Sequence, residues 1–241
     1  MRDMIRRMRI AVKDERGFTI LELMFVIAIF GIMSSITLFG FRDFAQKTSF
    51  DNLAQDIALH IVQAQKAAIS GKVNQTVLIS SVAPTYGVFF ESGSTPSPAN
   101  QRFTYFNDLP ASGGGLLDMR YTAPTGGGCP PSSECISQTK ITSGEYIDLI
   151  SYVPMGGTYT PLASGSVAHI TFTRPFPDAS IILCTGSAPT DPCTAPLSNV
   201  YIELMSSISP TIKKTIVVNG LGEVRVYNGS TVCAYTGGTG C

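Results

Sequence analysis

The chain has 241 residues, 44% of them apolar, which is enough for a sizeable core, but only 14% are charged, against a usual quarter. Lys plus Arg and Asp plus Glu number 17 each, so no overall charge favours binding to nucleic acid. The charge is uneven, however: residues 1–17 carry a surplus of three positive charges over negative ones. A basic tip that precedes a nearly neutral body is an orientation signal at a membrane.

An apolar segment follows this basic tip. Residues 18–41 contain one charged side chain, Glu22. At about 1.5 Å per residue a helix of this length spans roughly 36 Å, enough to cross a bilayer. The segment is therefore predicted to be a transmembrane half-helix. An anchor or uncleaved signal of some other surface protein is the alternative interpretation.

The helical pattern continues beyond the apolar segment. Between residues 42 and 71, apolar side chains recur at mostly three- and four-residue steps among polar ones. The positions of this stripe are Phe44, Phe50, Leu53, Ile57, Ile61 and Ala64. No proline occurs from 18 to 83, and Gly71 is a plausible helix end. One continuous helix is predicted from about residue 18 to residue 70, with an amphipathic second half.

From residue 72 onward the pattern becomes that of β-strands. Short β-branched or aromatic runs alternate with Gly, Pro and Ser clusters. Strands are predicted near 73–80, 86–90, 102–106, 145–152, 166–173, 179–184, 199–206, 213–218 and 223–228. The glycines between the last two predict a hairpin. The predicted fold class is α+β: a long N-terminal helix packed on an antiparallel β-rich head, residues 72–241, of one or two small sheets.

Six cysteines lie in this head, in three close pairs along the sequence: Cys129 and Cys135, Cys184 and Cys193, Cys233 and Cys241. No two have CxxC spacing, and neither histidine is near them in sequence, which disfavours zinc. Three small disulfide loops in an oxidising compartment are predicted, although six cysteines allow 15 pairings and the sequence does not choose among them. Free buried cysteines are the alternative.

The junction between the basic tip and the apolar segment carries the most specific motif, Gly17-Phe18-Thr19-Ile20-Leu21-Glu22-Leu23. A secretory signal has its small-residue cleavage site after the apolar stretch, whereas here the small residue precedes it. This arrangement resembles the type IV prepilin family, which includes the pseudopilins of type II secretion. Parts of the helix and the head are similar to the GspH/FimT-like minor pilins and pseudopilins within that family.

The resemblance implies how the chain is processed and where it resides. A prepilin peptidase would cut between Gly17 and Phe18, removing residues 1–17 as a leader, and would methylate the new amine of Phe18. The chain would cross the inner membrane once with its head outside, and would later enter a pilus or pseudopilus. Its implied partners are other pilin subunits, the peptidase, an inner-membrane assembly platform and the bilayer. Thr19 and Leu21 belong to the same processing and assembly motif.

Glu22 is the unusual residue of this motif, because a carboxylate inside a membrane costs on the order of 3 kcal/mol. Residues 19–41 contain no cation that could pair with it. Cleavage would supply one, the amine of Phe18. In the family, the acid of one subunit is thought to meet the terminal amine of its neighbour. A pair within one chain is also possible at this spacing, and a shallow acid near the headgroups is the remaining alternative.

Other functions find less support in the sequence. No hydrolase, zinc-protease or nucleotide-binding motif is present, so no enzyme activity, cofactor or metal is predicted. Some FimT-like relatives bind DNA near the closing strand, but only Lys213, Lys214 and Arg225 lie there, so nucleic acid is not predicted as a partner. A membrane-anchored adhesin or ligand-binding module is the alternative function, since the loops are rich in Ser, Thr and Gly.

Overall fold

The computed structural model describes residues 17–71, 85–109, 117–124, 128–130, 133–154, 156–186, 191–194, 198–230 and 235. For residues 37–43 of the helix only the backbone is described. The chain divides into two units, Met1–Gln46 and Lys47–Cys241.

One helix, α1, runs from Ile20 to Ser70, as the sequence predicts. It ends at Gly71, whose φ of +64° lies in the left-handed region that glycine adopts without strain. The N–H of Gly71 donates a hydrogen bond of 3.2 Å to the carbonyl oxygen of Ala68, closing the last turn. Within the part of the chain that the structure describes, no helix combines the length and the mean hydropathy required of a membrane span.

Eleven strands are found among the described residues. They are β1 (Thr85–Glu91), β2 (Arg102–Asp108), β3 (Cys135–Lys140), β4 (Glu145–Val153), β5 (Thr160–Pro161), β6 (Val167–Phe172), β7 (Ala179–Cys184), β8 (Cys193–Thr194), β9 (Asn199–Ser206), β10 (Lys213–Asn219) and β11 (Val224–Asn228). Eight of them lie where strands were predicted. The strand predicted at 73–80 lies outside the described residues, whereas β3, β5 and β8 were not predicted.

These strands form two antiparallel sheets. The first has the order β3-β2-β1-β6-β7-β8 and the second has the order β11-β10-β9-β4-β5. The predicted closing hairpin is confirmed, because β10 pairs with β11 from Lys214 opposite Asn228 to Val218 opposite Val224. Its turn is fixed by Asn219, whose side-chain oxygen accepts hydrogen bonds from the N–H groups of Leu221 and Glu223.

The main core of the second unit lies between the later part of α1 and the inner faces of both sheets. Phe50, Ile57 and Ile61 of the predicted stripe are at most 1% exposed and belong to one apolar cluster with residues of both sheets. Phe44, the first position of the stripe, has a side chain that is 67% exposed and belongs to the first unit. The buried part of the stripe begins at Phe50.

Two of the predicted disulfide loops are confirmed. Cys129 is bonded to Cys135, and Cys184 is bonded to Cys193. The first loop ends at the start of β3, and the second joins β7 to β8. Because β3 and β8 are the two edge strands of the first sheet, the disulfides lie at opposite edges of it. Cys233 and Cys241 lie outside the described residues.

Candidate assembly site at the start of the helix

The start of α1 is capped by Thr19. Its side-chain oxygen accepts a hydrogen bond of 3.2 Å from the backbone N–H of Glu22, and its carbonyl oxygen accepts one of 3.1 Å from Leu23. Thr followed three residues later by Glu is the pattern of a capping box, in which the first residue satisfies a free N–H of the first turn. Thr19 therefore has a structural role that the sequence analysis missed, although the Thr-x-x-Glu spacing was its signal.

Glu22 occupies the first turn of the helix, where the partial positive charge of the helix N-terminus favours a carboxylate. Its side chain is exposed, and it makes no ion pair with any residue that the structure describes. Phe18 lies four residues earlier, just before the helix, and is 83% exposed. The acid and the backbone nitrogen of Phe18 are thus at the same end of the helix.

The surface that follows Glu22 is apolar. Between residues 18 and 36, thirteen large apolar side chains are 55–83% exposed: Phe18, Ile20, Leu21, Leu23, Met24, Phe25, Val26, Ile27, Ile29, Phe30, Ile32, Met33 and Ile36. Exposed apolar patches of more than a few hundred Å² are rare on soluble monomers and mark surfaces that contact a membrane or another protein. Glu22 is the one charged residue in this segment.

The glycine before this segment is sterically open. A Cβ atom added at Gly17 would meet nothing within 4 Å, and the same is true at Gly31 inside the helix. A larger side chain at Gly17 would therefore not disturb the helix start itself.

The closing hairpin does not present free positive charge. Lys213 lies 2.5 Å from Glu203 and 3.6 Å from Asp148, and Lys214 forms an ion pair with Asp51. Arg225 lies 2.7 Å from the carboxylate of Glu223. All three cations that could contact a nucleic acid backbone therefore already contact carboxylates, a feature that weakens phosphate binding.

The head contains a second group of titratable side chains, on the outer face of the first sheet. Residues 117–124 form a segment, here called the strap, that crosses this face. Asp108 accepts a hydrogen bond of 2.7 Å from the N–H of Met119, and His169 accepts one of 2.9 Å from the N–H of Tyr121. Glu134 accepts one of 2.7 Å from the N–H of Thr122. The acceptors come from β2, from β6 and from the loop before β3.

Burial changes the protonation of these side chains. It raises the pKa of Asp108 to about 6 and that of Glu134 to about 7, although the N–H groups of the strap oppose the shift. It lowers the pKa of His169 to about 3, so the imidazole is neutral and can accept the hydrogen bond from Tyr121. No group of three or more His, Cys, Asp or Glu side chains suited to a metal ion occurs in the described part of the chain.

Replacing Glu134 by Gln is expected to stabilise the head at pH 8 and to leave it unchanged at pH 4. The folded head holds the proton of Glu134 up to a pKa of about 7, whereas the unfolded chain releases it near 4.5. Between these values the unfolded chain binds fewer protons, so the unmodified head loses stability as the pH rises. The glutamine keeps the acceptor for Thr122 and removes the charge near Asp108 and Asp118.

The measurement is the thermal unfolding of the full chain in detergent, followed from pH 4 to pH 8 by circular dichroism. The expected gain at pH 8 is roughly 2–4 °C, the shift that about 1 kcal/mol produces in a protein of this size. Asp178→Asn, at an exposed loop position, is the matched control and should follow the unmodified chain. Identical pH profiles for Glu134→Gln and the unmodified chain would contradict this account of the strap.

The two units together define a class of protein that exposes a long apolar helix segment and carries a separate β-rich head. Residues 12–38 match the prokaryotic N-terminal methylation motif. Two curated relatives, both described as a fimbrial protein of Pseudomonas aeruginosa, are 31% identical over 72 residues, which make up 30% of this chain and 44% of each relative. No solved structure matches the chain significantly.

These findings confirm the predicted resemblance to the type IV pilin family. The motif covers Gly17, Phe18 and Glu22, which lie at the start of the helix. The chain spans less than half the length of the curated relatives that it matches.

Proposed function

We propose that this chain is a structural subunit of a type IV pilus or of a type II secretion pseudopilus, and that it assembles through residues 18–41. The observation that carries the proposal is the exposed apolar surface between Phe18 and Ile36, with Glu22 as its one charge. In a fibre, the same surfaces of neighbouring subunits would cover one another, as the hydrophobic effect requires of so much apolar area.

The proposed role of Glu22 is to align subunits. Before assembly its carboxylate has no cationic partner among the described residues, and the helix N-terminus favours its charge. Cleavage after Gly17 would create an amine on Phe18, which remains cationic after one methylation. A carboxylate and an amine buried among apolar helices attract each other strongly, so the pair would set the axial register of adjacent subunits.

The proposed life cycle follows from this chemistry. Residues 1–17 act as the leader, 18–41 hold the chain in the inner membrane before assembly, and 42–71 connect this segment to the head. A prepilin peptidase cuts and methylates the chain, and an assembly platform in the inner membrane moves it into the fibre. The match to the methylation motif supports the step in which the peptidase cuts and methylates the chain.

Within the family, we propose a minor pilin or pseudopilin of the GspH/FimT-like kind. The features of the head that support this subtype are the strand that contains His169, β6, and the closing hairpin of β10 and β11. The proposed role is structural, because the residues that carry it would form an apolar contact surface and, after cleavage, a charge pair between subunits.

The proposal is tested by replacing Gly17 with Val in cells that contain an active prepilin peptidase. Processing should fall at least tenfold and a precursor that retains residues 1–17 should accumulate. Neither this position nor Gly31 has any atom within 4 Å of an added Cβ, so Gly31→Val is the matched control and should be processed normally. Normal processing of Gly17→Val would contradict the proposed cleavage site.

A further inference from the structure

A small pocket lies between the outer face of the first sheet and the strap. Its volume is about 180 Å³. Drug-sized ligands occupy pockets of roughly 300–1,000 Å³, so this pocket is suited to a single small ring. Its described lining is Phe89, Glu91, Arg102, Thr104 and Gln138 from the sheet, with Tyr121, Ala123, Pro124 and Gly128 from the strap and the segment after it.

The sheet side of this pocket is polar because of strand register. Arg102 and Thr104 are two residues apart on β2, so their side chains are on the same face, and Gln138 of β3 lies opposite Thr104. Phe89 of β1 lies opposite Thr104 on the other side, and Glu91 follows Phe89 on the same face. A carboxylate, a guanidinium, an amide and a hydroxyl are therefore collected on three neighbouring strands.

Two of these polar groups make no direct hydrogen bond or ion pair in the described part of the protein. The side chains of Glu91 and Arg102 form neither a hydrogen bond nor an ion pair there, whereas Gln138 contacts the hydroxyl of Thr104 at 3.4 Å. The two charges are close enough to interact, because Arg102 lowers the pKa of Glu91 while burial raises it, with burial the larger effect. Each is left free to bind a third group.

The strap side of the pocket is apolar and fixed in place. The ring of Tyr121 lies 5.1 Å from that of Phe89 and 5.3 Å from that of Phe106, and its N–H is bound by His169. Asp108 and Glu134 hold the strap on either side of Tyr121. A wall held by two buried acceptors, Asp108 and His169, and by the half-buried Glu134 is preorganised, so little ordering free energy would be lost when a ligand binds.

We propose that this pocket binds one hexose ring, either as a free sugar or as the end of a glycan. A sugar ring has apolar C–H faces and a polar rim, which match the apolar strap and the polar strand residues. Glu91 would accept hydrogen bonds from ring hydroxyls, while Arg102 and Gln138 would donate to them. The carboxylate disfavours a phosphate and the guanidinium disfavours a lone cation, so the pocket suits a ligand without net charge; the proposed ligand is a neutral polyol, and a zwitterion is the alternative that the test includes. The proposal is independent of the assembly role.

The test is a titration of the full chain in a detergent without a sugar headgroup. Saturation-transfer NMR would be recorded with glucose, galactose and N-acetylglucosamine, with alanine and inorganic phosphate as probes of other chemistry. A glycan array would separate a terminal sugar from a free one. At least one hexose should bind, and Glu91→Gln and Arg102→Gln should each weaken it at least tenfold. Ala123→Trp, which fills the pocket from the strap side, should do the same.

The matched control is Lys140→Gln. Lys140 lies opposite Arg102 on the edge strand β3 but does not line the pocket, so this variant should bind the sugar within twofold of the unmodified chain. Thermal unfolding of each variant shows whether the head is folded. The proposal is overturned if no hexose binds at millimolar concentration, if alanine or phosphate binds instead, or if all folded variants, including Lys140→Gln, bind alike.

Discussion

Replacing Glu22 with Gln is expected to leave cleavage intact and to lower incorporation into fibres at least 100-fold. The glutamine has the same shape and remains compatible with the cap that Thr19 provides through the backbone N–H at this position. What is lost is the partner for the amine of Phe18. An uncompensated charge in a buried interface costs about 3–5 kcal/mol. Each 1.4 kcal/mol corresponds to a factor of about ten in an equilibrium.

The measurement compares the amount of the chain in sheared fibres with the amount of processed chain in the membrane. Asp56→Asn is the matched control, because Asp56 is an exposed acid of the same helix that lies outside the apolar segment. It should assemble normally. Equal incorporation of Glu22→Gln and the unmodified chain would contradict the role of the carboxylate, whereas failure to cleave Glu22→Gln would assign it to processing.

The substitution Ile57→Ala, which shortens one side chain of the helix, is expected to have the largest effect on the stability of the head. Ile57 is completely buried in the apolar cluster that the later part of α1 forms with both sheets. Replacing a buried isoleucine with alanine removes apolar contacts and leaves a cavity, which costs about 2–5 kcal/mol. For a protein of this size, each kilocalorie per mole lowers the melting temperature by roughly 2–4 °C.

Leu59→Ala is the matched control for this experiment. Leu59 lies two residues away on the same helix, but its side chain is 53% exposed. Its truncation should change the free energy of unfolding by less than about 0.5 kcal/mol. Thermal unfolding of the full chain in detergent, followed by the circular dichroism of the strands, measures both. Equal effects at the two positions would show that the later part of α1 does not pack on the head as described.

The helix and most strands could be predicted because their signals are local. A proline-free segment followed by a stripe at three- and four-residue steps predicts one long helix, and Gly71 marks its end. The limit of this reasoning is shown by Phe44, which fits the stripe as well as Phe50 does but is exposed. Periodicity gives the face of a helix, whereas the length over which a head covers that face depends on tertiary structure.

The strands that were missed have weak local signals. β3 has the sequence Cys135-Ile136-Ser137-Gln138-Thr139-Lys140, and most of its side chains are polar and partly or fully exposed, as is usual at a sheet edge. β5 and β8 have two residues each, too short for any periodicity. Such strands are defined by their pairing partners, which are distant in sequence.

The candidate sites also differ in whether the sequence alone could predict them. Gly17, Phe18 and Glu22 could be found from the sequence because the motif is contiguous. The pocket could not, since Glu91, Arg102 and Gln138 are brought together by the register of three strands and Tyr121 by a strap that His169 binds. His169 lies in β6, but its hydrogen-bond partner, 48 positions away, could not be identified from spacing.

The central claim is that this chain enters a fibre by the helix start that cleavage after Gly17 exposes. It is tested most directly by intact-mass and N-terminal analysis of the chain recovered from sheared fibres. The account predicts a chain that begins at Phe18 and carries one methyl group on its terminal amine. A chain in the fibre that still contains residues 1–17, or that begins beyond residue 41, would contradict it.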